Sequence, residues 1–163
     1  MHFLNFFWRV VLWWAMPTLL GYDQVIKNRK WCIGAWCNSI LASGSIEQVV
    51  IIAAGFAPLG VELASTFPAC TIFDVDLLNM PEKQKICESI SGLGANLHFV
   101  EADITDTDKC VGLLNLAGWQ GNRPTLVICD GISYYIFSKI YYCFAHESKS
   151  SYRPSGAIFT HIA

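Results

Sequence analysis

A doubly wound α/β fold, with helices on both faces of a mostly parallel sheet, is what this sequence predicts. Three observations carry the prediction. Short continuous apolar runs rich in β-branched residues recur along the chain, polar helical stretches separate them, and acidic residues close three of the runs in succession. A run without polar alternation marks a strand covered on both faces, the usual state of a parallel strand in such a sheet. The 163 residues suit one main fold over residues 45–163, preceded by a helical lid or cap region over residues 1–44.

Taken in order, Phe3 to Leu20 (FLNFFWRVVLWWAMPTLL) is the most apolar stretch. Asn5 and Arg9 interrupt it, Pro17 breaks it, and the part before the proline is shorter than the roughly 20 residues a bilayer crossing needs. No basic region precedes it and no small-residue cleavage motif follows, which argues against a secretory signal. It reads first as a buried or lid helix. A helix lying in a membrane interface is the second reading; Trp8, Trp13 and Trp14 favour that peripheral contact, and the lack of a Lys-rich face disfavours it.

Polar residues gather from Asp23 to Lys30, before a helical pattern at Trp31, Ile33, Ala35, Trp36, Ile40 and Leu41 that Gly44 ends. Val49 to Ala54 predicts the first strand, Gly55 and Gly60 a tight turn, and Val61 to Thr66 a short helix. Cys70 to Val75 predicts the second strand, and Pro81 opens a solvated helix that runs to about Ser91. Asn96 to Glu101 is a third strand, Asp108 to Leu116 a helix, Thr125 to Cys129 a fourth strand and Ala157 to Ile162 a fifth, after a surface loop from Ser148 to Gly156.

Strand ends carry the acids: Asp74 and Asp76, then Asp103, then Asp130. In a parallel sheet these ends share one rim. A carboxylate after the second strand there can accept ribose hydroxyls, one after the third can accept from an adenine amino group, and one after the fourth lies toward the reacting end. Each alone is also an ordinary loop or N-cap residue. Together they point to an adenosine-bearing ligand.

Composition narrows the classes. With 53% hydrophobic residues, 15% charged residues and a net charge of −2, the chain has no basic field to hold a nucleic acid and no disordered tail. Seven cysteines, odd in number and scattered, form no CxxC pair and no zinc-spaced cluster, which predicts a reduced, cytoplasmic chain without a metal site. His2, His98, His146 and His161 are dispersed, and no residue is assigned to catalysis.

Four blocks resemble the leucine carboxyl methyltransferase family, within the class I S-adenosylmethionine-dependent methyltransferases. Arg29-Lys30-Trp31 with Ile33 is similar to the family's basic motif ahead of the cofactor domain. Gln48 to Gly55, followed by Phe56, is similar to its QVVxLGAGF turn. Phe73 to Leu77 (FDVDL) is similar to its (F/E)xVD segment, with Lys83 or Lys85 in the place of a following lysine. Asp130 to Ile136 (DGISYYI) is similar to its EGxxxYL block. The resemblance implies a Rossmann-like S-adenosyl-L-methionine-binding domain and O-methyl transfer to a carboxylate or hydroxyl of a small molecule or peptide terminus. It also implies residue roles: backbone at Ala53, Ala54, Gly55 and Phe56 beside the methionine part of the cofactor, Asp74 on the ribose, Asp103 on the adenine amino group and Arg29 on the cofactor carboxylate. Asp130 and Gly131 would line the methyl-donor side, with Tyr135 supporting the substrate pocket.

Ala53 stands where the family has its first glycine, Ala57 where an acid commonly follows, and Asp130 where a Glu is expected. The sequence also stops at Ala163, where the fifth strand should finish, so the family's C-terminal strand pair is expected to be lacking. Either the sequence is part of a longer protein, or the edge at Ala157 to Ile162 is covered by a second copy or another chain. Two other readings stay open: a catalytically inactive methyltransferase-like interaction module, and an NAD(P)-binding protein that uses Gly55 and Gly60. AAGFAPLG lacks the middle glycine of the dinucleotide fingerprint, which weighs against the latter.

Overall fold

A computed structural model describes residues 21, 24–90 and 94–130. It divides into two compact units, Met1–Cys37 and Asn38–Ala163. A helix, α1, runs over residues 24–41 and passes through the division. It starts well before Trp31, so the polar stretch with Arg29 and Lys30 is helical rather than a lead-in. Ile33, Cys37 and Leu41 are buried at intervals of four residues, the spacing of one helical face.

In the second unit the strands are β1 (Gln48–Ile52), β2 (Thr71–Asp76), β3 (Leu97–Glu101) and β4 (Thr125–Cys129). The helices between them are α2 (Leu59–Thr66), α3 (Met80–Glu88) and α4 (Thr107–Leu116). The sheet order is β3-β2-β1-β4, and every pairing is parallel. This is the expected doubly wound arrangement. The fifth strand proposed at Ala157 to Ile162 and the apolar helix at Phe3 to Leu20 lie outside the described residues.

Strand alternation sorts the core into two layers. Val50, Ile52, Phe73, Val75, Val100, Val127 and Cys129 pack with Cys110, Val111 and Leu114 of α4 and with Trp119. The opposite face, with Val49, Ile51, Ile72 and Asp74, meets α2 and α3. All five residues of β1 are buried, as befits an inner strand covered on both sides.

Element ends shift where local chemistry decides. β1 stops at Ile52 because Ala53 turns into the left-handed region, at φ 55°. α2 begins at Leu59, ahead of Val61, and takes in Gly60. β2 continues to Asp76, and α3 starts at Met80 with Pro81 in its first turn, where a missing N–H costs nothing. Asp106 caps α4 by accepting from the Lys109 amide at 3.3 Å.

The amino end of the sheet is closed by polar side chains. Buried Gln48 donates through Nε2 to the Gln120 carbonyl at 2.8 Å and to Thr125 Oγ1 at 3.1 Å, and its Oε1 accepts from the Gln120 amide at 2.9 Å. Thr125 Oγ1 also accepts from Trp119 Nε1 and donates to the Arg123 carbonyl, so its hydrogen-bonding capacity is filled. Arg123 Nε in turn donates to Glu47 Oε2 at 2.6 Å.

Candidate functional site

The carboxyl end is built differently. β1 and β4 are neighbours, while β2 and β3 lie on the far side of β1, so the strand order reverses there, the place where ligands bind in open sheets of this kind. The turn after β1 lies at this point. Ala53 and Gly55 both adopt positive φ, 55° and 48°. The Ala54 amide is fastened to the Val75 carbonyl at 3.1 Å, and the Ala57 amide to the Ala54 carbonyl at 3.0 Å.

Asp76, the last residue of β2, faces this turn. Its Oδ2 accepts from the Gly55 amide at 2.8 Å, and its Oδ1 accepts from the Leu77 amide at 2.7 Å. The side chain is half-buried, and each carboxylate oxygen has a further lone pair to offer. A Cβ built on Gly55 would meet nothing nearer than Asp76 Oδ2 at 4.0 Å. Bare backbone and a carboxylate therefore stand side by side at the switch point, an arrangement that fits a ribose with an attached polar chain.

Asp74 is not at that rim. It is 0% exposed, on the sheet face that meets α2 and α3, and its Oδ2 lies 2.6 Å from Lys83 Nζ. Burial pushes its carboxyl above the usual range, and the Lys83 ammonium offsets part of that rise. In register, Ile51, Asp74 and Phe99 lie abreast in one row of the sheet. Asp74, to which the resemblance gives the ribose, thus lies two residues before the strand end, enclosed with Lys83 rather than at the rim beside Gly55.

The other expected residues fall as follows. Ala54 is buried and Phe56 is 57% exposed, on either side of Gly55. Asp103, two residues beyond β3, is exposed and accepts from the Thr105 amide at 2.8 Å and from its hydroxyl at 2.7 Å, an Asx-type turn. Asp130 directly follows β4 and is half-buried; burial, with Asp130 adding to it, pushes the neighbouring Cys129 thiol up to about 11. Parallel pairing thus brings residues 53–56, Asp76, Asp103 and Asp130 to one edge of the sheet. Arg29 is half-buried on α1, in the first unit. Gly131 and Tyr135 lie outside the described residues.

Sequence reasoning marked both Asp74 and Asp76 as acids at the end of the second strand and gave the ribose to Asp74; the structure puts Asp76 at the rim and Asp74 two residues back, enclosed with Lys83. The sequence also left Lys83 and Lys85 as alternatives. Lys83 is the buried one, bonded to Asp74 and to the Ala57 carbonyl at 2.9 Å, while Lys85 is exposed. Among the described residues no group of His, Cys, Asp and Glu could hold a metal ion, and no helix is long and apolar enough to cross a membrane.

Comparison with known proteins adds the following. Solved structures of magnesium protoporphyrin IX methyltransferase (ChlM) from Synechocystis PCC 6803, one with bound SAH and one with bound SAM, are similar to this chain at 18% identity and a TM-score of 0.49. They align with 78% of this chain and with 52% and 54% of theirs, so the chain spans about half the length of that enzyme. No curated protein matches the sequence. The family model of leucine carboxyl methyltransferase matches residues 15–139, well over half of the chain and a range that includes the four blocks from Arg29 to Ile136. The chain belongs to the leucine carboxyl methyltransferase family, a group of class I methyltransferases that use S-adenosyl-L-methionine.

Proposed function

We propose that this chain carries the S-adenosylmethionine site of an O-methyltransferase acting on a carboxylate or hydroxyl acceptor, either a small molecule or a peptide terminus. The observation that carries the reading is the Gly55 amide held on Asp76 Oδ2 at 2.8 Å, with no side chain of its own between them, at the switch point. Asp76 takes the ribose role: it accepts from the hydroxyls through lone pairs not used by Gly55 and Leu77. The backbone of Ala53, Ala54 and Gly55, with Phe56 beside it, faces the methionine part, Asp103 meets the adenine amino group and Arg29 meets the carboxylate. Asp130 and Gly131 line the methyl-donor side, and Tyr135 supports the acceptor pocket.

The bound group supplies an electrophilic methyl on a sulfonium, which an acceptor oxygen displaces. What the protein contributes is alignment of that oxygen and exclusion of water, so the rim residues act by holding and orienting rather than by moving protons. The six free cysteines among the described residues support a reducing, cytoplasmic setting. Peripheral membrane contact through the N-terminal aromatic stretch, and a second copy or partner along Ala157 to Ile162, complete the proposal.

Titration calorimetry of the folded chain with S-adenosylhomocysteine, with NAD as the control, tests it. Micromolar binding of the first alone is expected. Binding of NAD alone would replace the reading with a dinucleotide site, and binding of neither would leave this chain as a methyltransferase-like interaction module.

A further inference from the structure

Lys83 and Asp74 are, with Gln48, the buried polar or charged residues among those described, and the sheet face that carries Asp74 otherwise buries Val49, Ile51, Ile72, Leu126 and Ile128. The two side chains are 4% and 0% exposed. Buried ion pairs are poor devices for stability, because desolvation of both charges offsets their attraction, and apolar residues of the same shape often serve as well or better. Asp74 Oδ1 is moreover buried without a hydrogen-bond partner among the described residues. What an apolar pair could not do is hold a carbonyl. Lys83 Nζ donates both to Asp74 Oδ2 at 2.6 Å and to the Ala57 carbonyl at 2.9 Å, reaching 26 residues back to the turn after β1.

The carboxylate closes on the same segment from the other side. A Cβ on Gly60 would lie 2.3 Å from Asp74 Oδ1 and 2.7 Å from its Cγ, so the start of α2 rests directly on the pair. α2 has no side-chain cap at Pro58, and a cation near a helix start opposes its dipole, so the pair does not serve as an ordinary cap. The turn is thus fixed from β2 at Val75 and Asp76 and from α3 at Lys83.

We infer that Lys83 is a positioning residue: anchored by Asp74, it holds the Ala57 carbonyl and so fixes the backbone of residues 53–58 at the rim. Its consequence for ligand binding rests on the cofactor site proposed above.

The test uses the full chain with Lys83→Met and Asp74→Leu combined, which removes both charges at similar shape. Denaturant midpoints, amide hydrogen exchange by NMR and titration with S-adenosylhomocysteine are compared with the parent. The expected result is a midpoint at or above the parent's, with Gly55 and Ala57 amides exchanging about tenfold faster relative to Val50, and an S-adenosylhomocysteine Kd raised about tenfold, the scale of one charge-assisted hydrogen bond. Unchanged exchange at Gly55 and Ala57 in a variant as stable as the parent would overturn the inference. Should the double variant not fold, Lys83→Arg is expected to keep the protection that Lys83→Met loses, and equal exchange in those two would overturn it. If the parent binds no S-adenosylhomocysteine, the cofactor reading fails by itself, and the exchange comparison still decides the role of Lys83.

Discussion

The two ends of the sheet are made by the same four strands, and they spend their polar groups in opposite ways. At the amino end Gln48, Thr125, Trp119, Arg123 and Glu47 satisfy one another and the local backbone. At the carboxyl end Ala53 and Gly55 sit at positive φ, and Asp76 keeps lone pairs beyond the two amides it accepts. A saturated network specifies register and excludes water. A partly satisfied rim over strained backbone is what a ligand completes.

The sharpest way to break the comparison is Gly60→Ala. The new Cβ would stand 2.3 Å from a carboxylate that is fully buried and tied to Lys83, so neither can withdraw. A loss of about 3 kcal/mol is expected in urea denaturation, at the upper side of the usual overpacking range. A loss below 1 kcal/mol would mean that the carboxyl end is looser than described.

At the amino end, Gln48→Ala leaves the Gln120 amide and carbonyl without their side-chain partner, and a loss of about 2 kcal/mol is expected by the same measurement. Each end also buries a thiol. Burial raises Cys70 to about 11, with Glu47 adding to the rise and Arg123 opposing it, and burial and Asp130 raise Cys129 to about 11. A folded pKa above the reference 9.0 means that the stabilisation is whole below pH 9 and is lost as pH climbs toward 11. Denaturation midpoints should therefore fall across that window, and Cys70→Ala or Cys129→Ala should each restore about 2 kcal/mol of the loss at pH 11. A flat profile would contradict the burial of these groups.

The smallest effect belongs to Ala53→Gly. Relief at φ 55° outweighs the added freedom of the unfolded chain by about 0.5 kcal/mol, so a slight rise in Tm is expected, and a fall would show that Ala53 is not strained.

Much of this contrast was legible in the sequence. β4 falls at Thr125 to Cys129 as the apolar run predicts, and β1 and β3 are marked by runs that differ from their bounds by a residue or two. The acids at strand ends mark the rim. Asp74 and Asp76 could not be separated from composition alone, because residues two apart share a strand face and only the point where β2 ends decides which one reaches the rim. Gln48 begins a block that reads as part of the cofactor turn, yet it lies at the opposite end of β1 and works with residues more than 70 positions away. Long-range partnerships of that kind, like the one between Lys83 and Ala57, leave no local pattern.

One measurement tests the division between the ends most directly: S-adenosylhomocysteine affinity and denaturant midpoint, both determined for the parent, Asp76→Ala and Gln48→Ala. Asp76→Ala should weaken binding by about 1 to 3 kcal/mol, the cost of a lost charged acceptor, and change stability little. Gln48→Ala should lower stability and leave affinity as it was. Unchanged affinity in Asp76→Ala, or a loss in Gln48→Ala as large as its own, would contradict it.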